Sequence, residues 1–273
     1  MSTANAVPEA AVAETEVPKK PAEMGPSFEG FDFKTVDTGL ESMLKSGVHF
    51  GHLKSRLHPR MAGFVYMTRE NINIIDLEKT KEYLERAEKF LAAAAKSGKP
   101  ILFVGMKKHT HSLVRSLATE LGESFVVDRW LGGTLTNFPV ISKRATFLRD
   151  TKAKFERGEF SMYTKLERQK LSEVVERLEK KMGGIQNMRE LPCAIVIADA
   201  KEAKLPIAEA LTMNIPVVAI TDTNTDPSVV EYPIPGNDDA LSSLKFILGA
   251  LGKAVHDAKH AQATVVAAAK KEK

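Results

Sequence analysis

The sequence predicts an α/β fold: a flavodoxin-like or Rossmann-like open parallel sheet carrying an inserted antiparallel coiled-coil helical hairpin. Three observations predict it. Short, wholly apolar, β-branched runs recur along the chain, as strands buried on both faces of a parallel sheet should read. Amphipathic stretches of helical period separate most of them, the alternation expected of right-handed βαβ units. One long charged segment, from Ser142 to Glu190, interrupts that rhythm without containing a strand-like run.

The first 34 residues are rich in Ala, Pro and Glu and hold six acids against three lysines. Such a composition does not offset the entropy of ordering, so residues 1–34 read as a disordered acidic tail. The α/β domain is expected over residues 35–140 and 191–255. Its strands are "PILFVG" (100–105), "SFVVD" (124–128), "CAIVIAD" (193–199) and "PVVAITD" (216–222), with "VYMT" or "INIID" before them and "YPI" after them as possible edges. Helices are expected at "LEKTKEYLERAEKFLAAAAKSG", "THSLVRSLATELG" and "KLPIAEALTMN".

Residues 141–190 form the insertion. Leu171, Val175, Leu178, Met182 and Ile185 are spaced 4, 3, 4 and 3, and Ile141, Ala145, Leu148 and Phe155 supply a compatible stripe on the preceding segment. Two helices parted near "RGEFS" would close a coiled-coil hairpin along those stripes; two amphipathic helices packed on the body are the alternative. Residues 256–273 read as a frayed basic helix running into disorder.

With 273 residues and 43% hydrophobic content, the chain can bury a substantial core. Its single cysteine, Cys193, excludes an internal disulfide framework and a multi-cysteine zinc site and suits a reducing, cytoplasmic compartment. No apolar run approaches the roughly 20 residues that span a bilayer, and no signal-peptide layout opens the chain, so no membrane partner is expected. The net charge of +4 is only mildly basic, but it is segregated. Residues 42–69 carry Lys45, Lys54, Arg56, Arg60 and Arg69 with no acid, whereas residues 191–252 hold eight acids against three lysines.

Enzyme signatures are weak. Gly105 in "VGMKKHTHS" opens a helix after a strand, but neither the G-x-G-x-x-G nor the P-loop pattern accompanies it. Lys107, Lys108, His109 and His111 still place cations around a helix start, where they oppose the dipole and where phosphate could compensate. Asp222, Asp226, Asn237, Asp238 and Asp239 follow strands; they could serve as acid and base or bind a cation, but turn formation and helix capping, with Asn237 or Asp238 as the N-cap, are a sufficient explanation. His49, His52 and His58 match no trusted metal spacing. A serine-hydrolase elbow is missing, and Cys193 precedes a buried strand. No catalytic residue, metal or cofactor is expected.

Seven strings remain: "SGVHFGH", "NIIDLEKT", "ILFVGMKK", "RWLGGTLTNF", "GGIQNMRELP", "AITDTNTDP" and "IPGNDDA". In this order, over roughly residues 38–255, the chain resembles the family of the second protein of the small ribosomal subunit, in its bacterial form. The resemblance implies a flavodoxin-like sheet with a protruding coiled-coil hairpin and no catalysis. It also implies binding of small-subunit, 16S-type ribosomal RNA, and contact with neighbouring subunit proteins, including the large messenger-binding ribosomal protein one. Leu57 in "RLHPRM" departs from the family, which usually has tryptophan there, and removes a stacking surface. RNA contacts are expected from His49, His52, Lys54, Arg56, Arg60, Lys107, Lys108, Arg129, Lys143 and Arg144, dispersed over several loops as recognition of an extended phosphate surface requires. Trp130 reads as a buried anchor for the hairpin base, with a base-stacking platform as the alternative.

Overall fold

A computed structural model describes Phe28 and residues 38–271. A parallel sheet of five strands forms the centre: β4 (Ile101–Val104), β5 (Ser124–Val126), β6 (Ala194–Ile197), β7 (Val217–Thr221) and β8 (Tyr232–Pro235), in the order β5-β4-β6-β7-β8. Counted along the sheet's own strands this is 2-1-3-4-5, the flavodoxin-like winding. All four expected strands are present, and "YPI" extends the sheet beside β7. "VYMT" and "INIID" do not join it. As β2 (Val65–Arg69) and β3 (Ile72–Ile75) they pair antiparallel with each other, and β3 pairs antiparallel with β1 (Phe50–Leu53), in a separate small sheet ordered β1-β3-β2. The positive φ angles of Glu70 and Asn71 make the tight turn between β2 and β3, a two-residue connection that favours antiparallel pairing over a crossover.

Successive strand residues face opposite sides, so the sheet builds two cores. Ile101, Phe103, Val196, Val218 and Ile220 face helices α2 (Leu77–Ala95), α3 (His111–Leu121) and α7 (Leu241–Lys271). Leu102, Val104, Ile195, Ile197, Val217 and Ala219 face α6 (Lys204–Thr212) and the inserted helices α4 (Phe138–Glu156) and α5 (Lys165–Met182). A short helix, α1 (Leu40–Lys45), precedes the small sheet.

The insertion is two helices whose inward stripe is the one spaced in the sequence. Ile141, Ala145, Leu148, Val175, Met182 and Ile185 are buried, while Phe155, Leu171 and Leu178 are half-buried. Lys152 pairs with Glu179 across the two helices. Thr164 and Glu167 form a reciprocal capping box at the start of α5, which satisfies orphan N–H groups just after the chain reverses. At the base, Gly184 lies so close to edge strand β5 that a Cβ there would stand 2.1 Å from the Phe125 carbonyl oxygen. Glycine is what allows the turn after α5 to cover this sheet edge.

The acidic leader lies outside the described residues except for Phe28. That side chain is fully buried in the α3/α7 core, and its backbone N–H donates to Ser116 Oγ at 2.8 Å. Composition averaged over 34 residues hides the aromatic "SFEGFDF" that ends the leader. At the other end α7 continues as helix to Lys271, beyond the boundary at residue 255 suggested by sequence. Among the described residues no helix is long and apolar enough to cross a membrane.

Candidate nucleic-acid interface

In a sheet of this order the connections reverse direction between β4 and β6, and ligands of such folds sit outside the strands' carboxyl ends at that point. Lys107 follows β4 and Asp199 follows β6, so both reach it. The Lys107 ammonium donates to Asp238 Oδ1 at 2.9 Å and Asp239 Oδ1 at 2.8 Å, and stands 3.1 Å from Asp199 Oδ2 in a charge contact without hydrogen-bond geometry. Asp199 and Asp238 are buried, and Lys107 itself is only 19% exposed. The crevice that elsewhere accepts a ligand is filled by the chain's own ion pairs.

Beside it, His52 donates from Nδ1 to Asp222 Oδ2 at 2.8 Å, while its Nε2 lies 3.5 Å from Asp239 Oδ2. The small sheet holds His52 in place: its backbone N–H donates to Thr223 Oγ1 at 2.9 Å and its carbonyl accepts from Asn73 Nδ2 at 3.1 Å. The hydrogen bond to Asp222 raises the His52 pKa against the effect of burial. Asp238 is pushed up to about 8, first by burial and then by the charges of Asp199 and Asp222, with Lys107 pulling the other way. Burial, the largest single effect on Lys107, opposes its charge, yet the hydrogen bonds to Asp239 and Asp238 outweigh it and hold the ammonium above the ordinary lysine range.

Donor atoms of His52, Asp222 and Asp238 lie within 4.8 Å of one another, a spacing at which one divalent cation could be held. Counting His49, His52 and His58 along the sequence does not reach this group, because two of its members come from strand ends some 170 residues away. The three histidines do not converge. His49 tilts against Phe50 with ring centroids 4.0 Å apart, and its buried Nδ1 has no hydrogen-bond partner; burial lowers its pKa. His58 accepts the backbone N–H of Arg60.

The remaining sequence-predicted cations are exposed, on several different elements. Lys54 and Arg56 sit exposed in a helical turn after β1, and Lys108 in the turn before α3. Arg129 is exposed after β5, and Lys143 and Arg144 are exposed in the first turns of α4. Arg60 is intermediate: 63% exposed, it donates to Asp226 Oδ2 at 2.7 Å and also contacts Ser228. The structure therefore separates the ten residues into six outward cations, Arg60 with a partner of its own, His52 and Lys107 neutralised by internal acids, and His49 against an apolar groove. Of the cations around the start of α3, Lys107 finds its compensation inside the chain, in Asp238 and Asp239. Gly105 serves close packing there: a Cβ would meet Val114 Cγ2 at 2.7 Å and Thr110 Oγ1 at 2.8 Å.

The "RWLGGTLTNF" turn is explained by one acid that sequence reasoning missed. Trp130 is buried, as an anchor should be, and its Nε1 donates to Glu209 on α6 at 2.9 Å. Of the two glycines only Gly133 has a positive φ, at 86°. Asn237 takes the turn-forming part expected of it, its Oδ1 accepting the backbone N–H groups of Asp239 and Ala240 just before α7 begins at Leu241.

Comparison with known proteins agrees with this geometry. The family described as Ribosomal protein S2 matches residues 43–258. Small ribosomal subunit protein uS2c of Cyanophora paradoxa is 41% identical over 221 residues, covering 81% of this chain and 95% of its own. Small ribosomal subunit protein uS2 of Synechococcus elongatus is 43% identical over 226 residues, covering 83% and 90%. With a match this long and a ligand crevice closed by internal ion pairs, the chain belongs to the ribosomal protein S2 family, a structural and non-enzymatic family of the small ribosomal subunit.

Proposed function

We propose that this chain is a cytoplasmic ribosomal constituent that grips small-subunit, 16S-type ribosomal RNA through Lys54, Arg56, Lys108, Arg129, Lys143 and Arg144, with Arg60 joining them by exchanging Asp226 for a phosphate. Lys107 and His52 serve indirectly, by fixing the loops on which the others stand. The observation that carries this reading is a division of charge: acids at the strands' carboxyl ends turned inward onto Lys107 and His52, and the other cations exposed. Contacts of this kind read backbone and shape, and their strength falls steeply with salt. In the same reading residues 35–140 and 191–255 are the body, and residues 141–190 are an arm that adds a net positive charge to the RNA contact.

The protein-partner half of the reading is supported by an apolar groove of about 640 Å³ whose lining includes Leu40, Leu44, His49, Tyr66, Met67 and Ile74. Tyr66, Leu44 and Met67 are exposed there, and such contiguous apolar surface marks protein docking. We assign it to a neighbouring subunit protein, the large messenger-binding ribosomal protein one. The test is reversal of Lys54 and Arg56 to Glu, alone and with Lys143 and Arg144, followed by sedimentation of extracts at low and high salt. Progressive loss from small-subunit fractions is expected; full occupancy in the fourfold variant would refute the RNA assignment. Saturable binding of a free nucleotide would favour an enzyme instead.

A further inference from the structure

The turn that carries Trp130 closes around a carboxylate. Glu209 Oε1 accepts Trp130 Nε1 at 2.9 Å and the Gly133 N–H at 2.8 Å; Oε2 accepts the Leu135 N–H at 2.9 Å, the Thr136 N–H at 3.3 Å and Thr136 Oγ1 at 3.4 Å. A concave set of N–H donors is what binds phosphate or sulfate in anion-binding loops. Here it is already filled by an anion of the same chain. The turn is also the joint of the hairpin: α4 begins at Phe138, two residues beyond Thr136, and Trp130, Ile141, Leu148 and Ile207 share one core. Arg129 precedes the turn, and Lys143 and Arg144 follow within α4.

We propose that Glu209 is a positioning residue, an internal substitute for a phosphate that sets how the hairpin is mounted and so where Arg129, Lys143 and Arg144 meet ribosomal RNA. The inference rests on the RNA reading above and adds to it an acid that serves an anion-binding surface. A carboxylate offers only acceptor sites, whereas a glutamine turns one of its two positions into a donor facing donors. The substitution Glu209→Gln therefore keeps the volume and removes the match.

Trp130 is the only tryptophan of the chain, so its fluorescence reports this turn directly. In the full-length protein, Glu209→Gln and Glu209→Ala should shift the Trp130 emission and weaken binding to small-subunit ribosomal RNA by about tenfold or more at fixed salt, the loss that ~1.4 kcal/mol represents. Replacing chloride by acetate at constant ionic strength should restore part of both signals in Glu209→Ala and leave the wild type unmoved, which a merely destabilised fold would not do. Binding within about twofold of wild type in Glu209→Gln would overturn the proposal, since that change exceeds only ~0.4 kcal/mol. So would a loss in both variants that acetate never recovers. If Glu209→Ala does not fold, Glu209→Gln and Trp130→Phe, which removes one donor, decide by the same binding limit. A wild-type chain that fails to bind the RNA would instead sink the functional reading, with emission and acetate recovery still deciding the Glu209 arrangement.

Discussion

Replacing Lys107 by Met tests whether the crevice is closed electrostatically. The ammonium has three carboxylate contacts between 2.8 and 3.1 Å. At an effective dielectric of about 20, each is worth roughly 5 kcal/mol of Coulomb attraction before desolvation is charged against it. The contact with Asp239 is discounted, because that carboxylate is 60% exposed and water screens it. Asp199 and Asp238 are different: both are buried and cannot recruit solvent in place of the lost cation. Removing one member of a buried ion pair costs about 3–5 kcal/mol, and that is the destabilisation expected for Lys107→Met.

Urea unfolding at pH 8 in EDTA measures it with no metal cation able to replace the ammonium. The penalty should also depend on pH. The folded-state pKa of Asp238, about 8, lies above its unfolded value, so the folded state holds that proton more tightly. Its contribution to stability is complete below about pH 4 and is lost as pH rises through about 8. Lys107→Met should therefore be less damaging at pH 6 than at pH 9, and Asp238→Asn in the same chain should recover much of the loss. A variant within about 1 kcal/mol of wild type at pH 8, below the buried-pair range, would refute the reasoning.

Three further outcomes are expected. Leu148→Ala, at a fully buried position of the hairpin-side core, should cost about 2–5 kcal/mol in chemical denaturation, as cavity-forming changes do. Gly184→Ala must displace the Phe125 carbonyl from 2.1 Å; a loss of about 1–3 kcal/mol or more is expected of such overpacking, read as a lower melting temperature. For Glu209, burial opposes ionisation, but the hydrogen bonds from Trp130 and the turn hold its pKa below the ordinary range. Its contribution is thus present above the unfolded glutamate pKa and lost as pH falls through the folded value, so the stability difference between wild type and Glu209→Gln should shrink on acidification below about pH 4.

The parallel sheet was legible because its strands are buried on both faces and therefore read as continuous apolar runs, Ile101–Val104 and Val217–Thr221 most clearly. The hairpin stripe was legible because Leu148, Val175 and Met182 face inward at helical spacing. The small antiparallel sheet was legible only as isolated strands: β2 is mostly exposed, and β1, on the other side of β3, is a four-residue run with a glycine. At the interface, residue type identified the cations but not their direction. Lys107 and Lys108 are adjacent, yet one turns to Asp238 and the other to solvent. That distinction depends on acids brought from other strand ends, which no local window contains. Glu209 was invisible for the same reason, since a lone acid on an amphipathic helix resembles any solvated one.

The hairpin is inserted between β5 and β6, yet β6 pairs with β4. During synthesis the first two parallel strands can meet early, but the centre of the sheet stays unmade until the whole excursion has emerged and returned. Closing so large a loop carries an entropic penalty that local structure reduces. A helical pair that forms by short-range contacts would bring its own two ends together, so the inserted helices would act as the clasp that delivers β6 to its place.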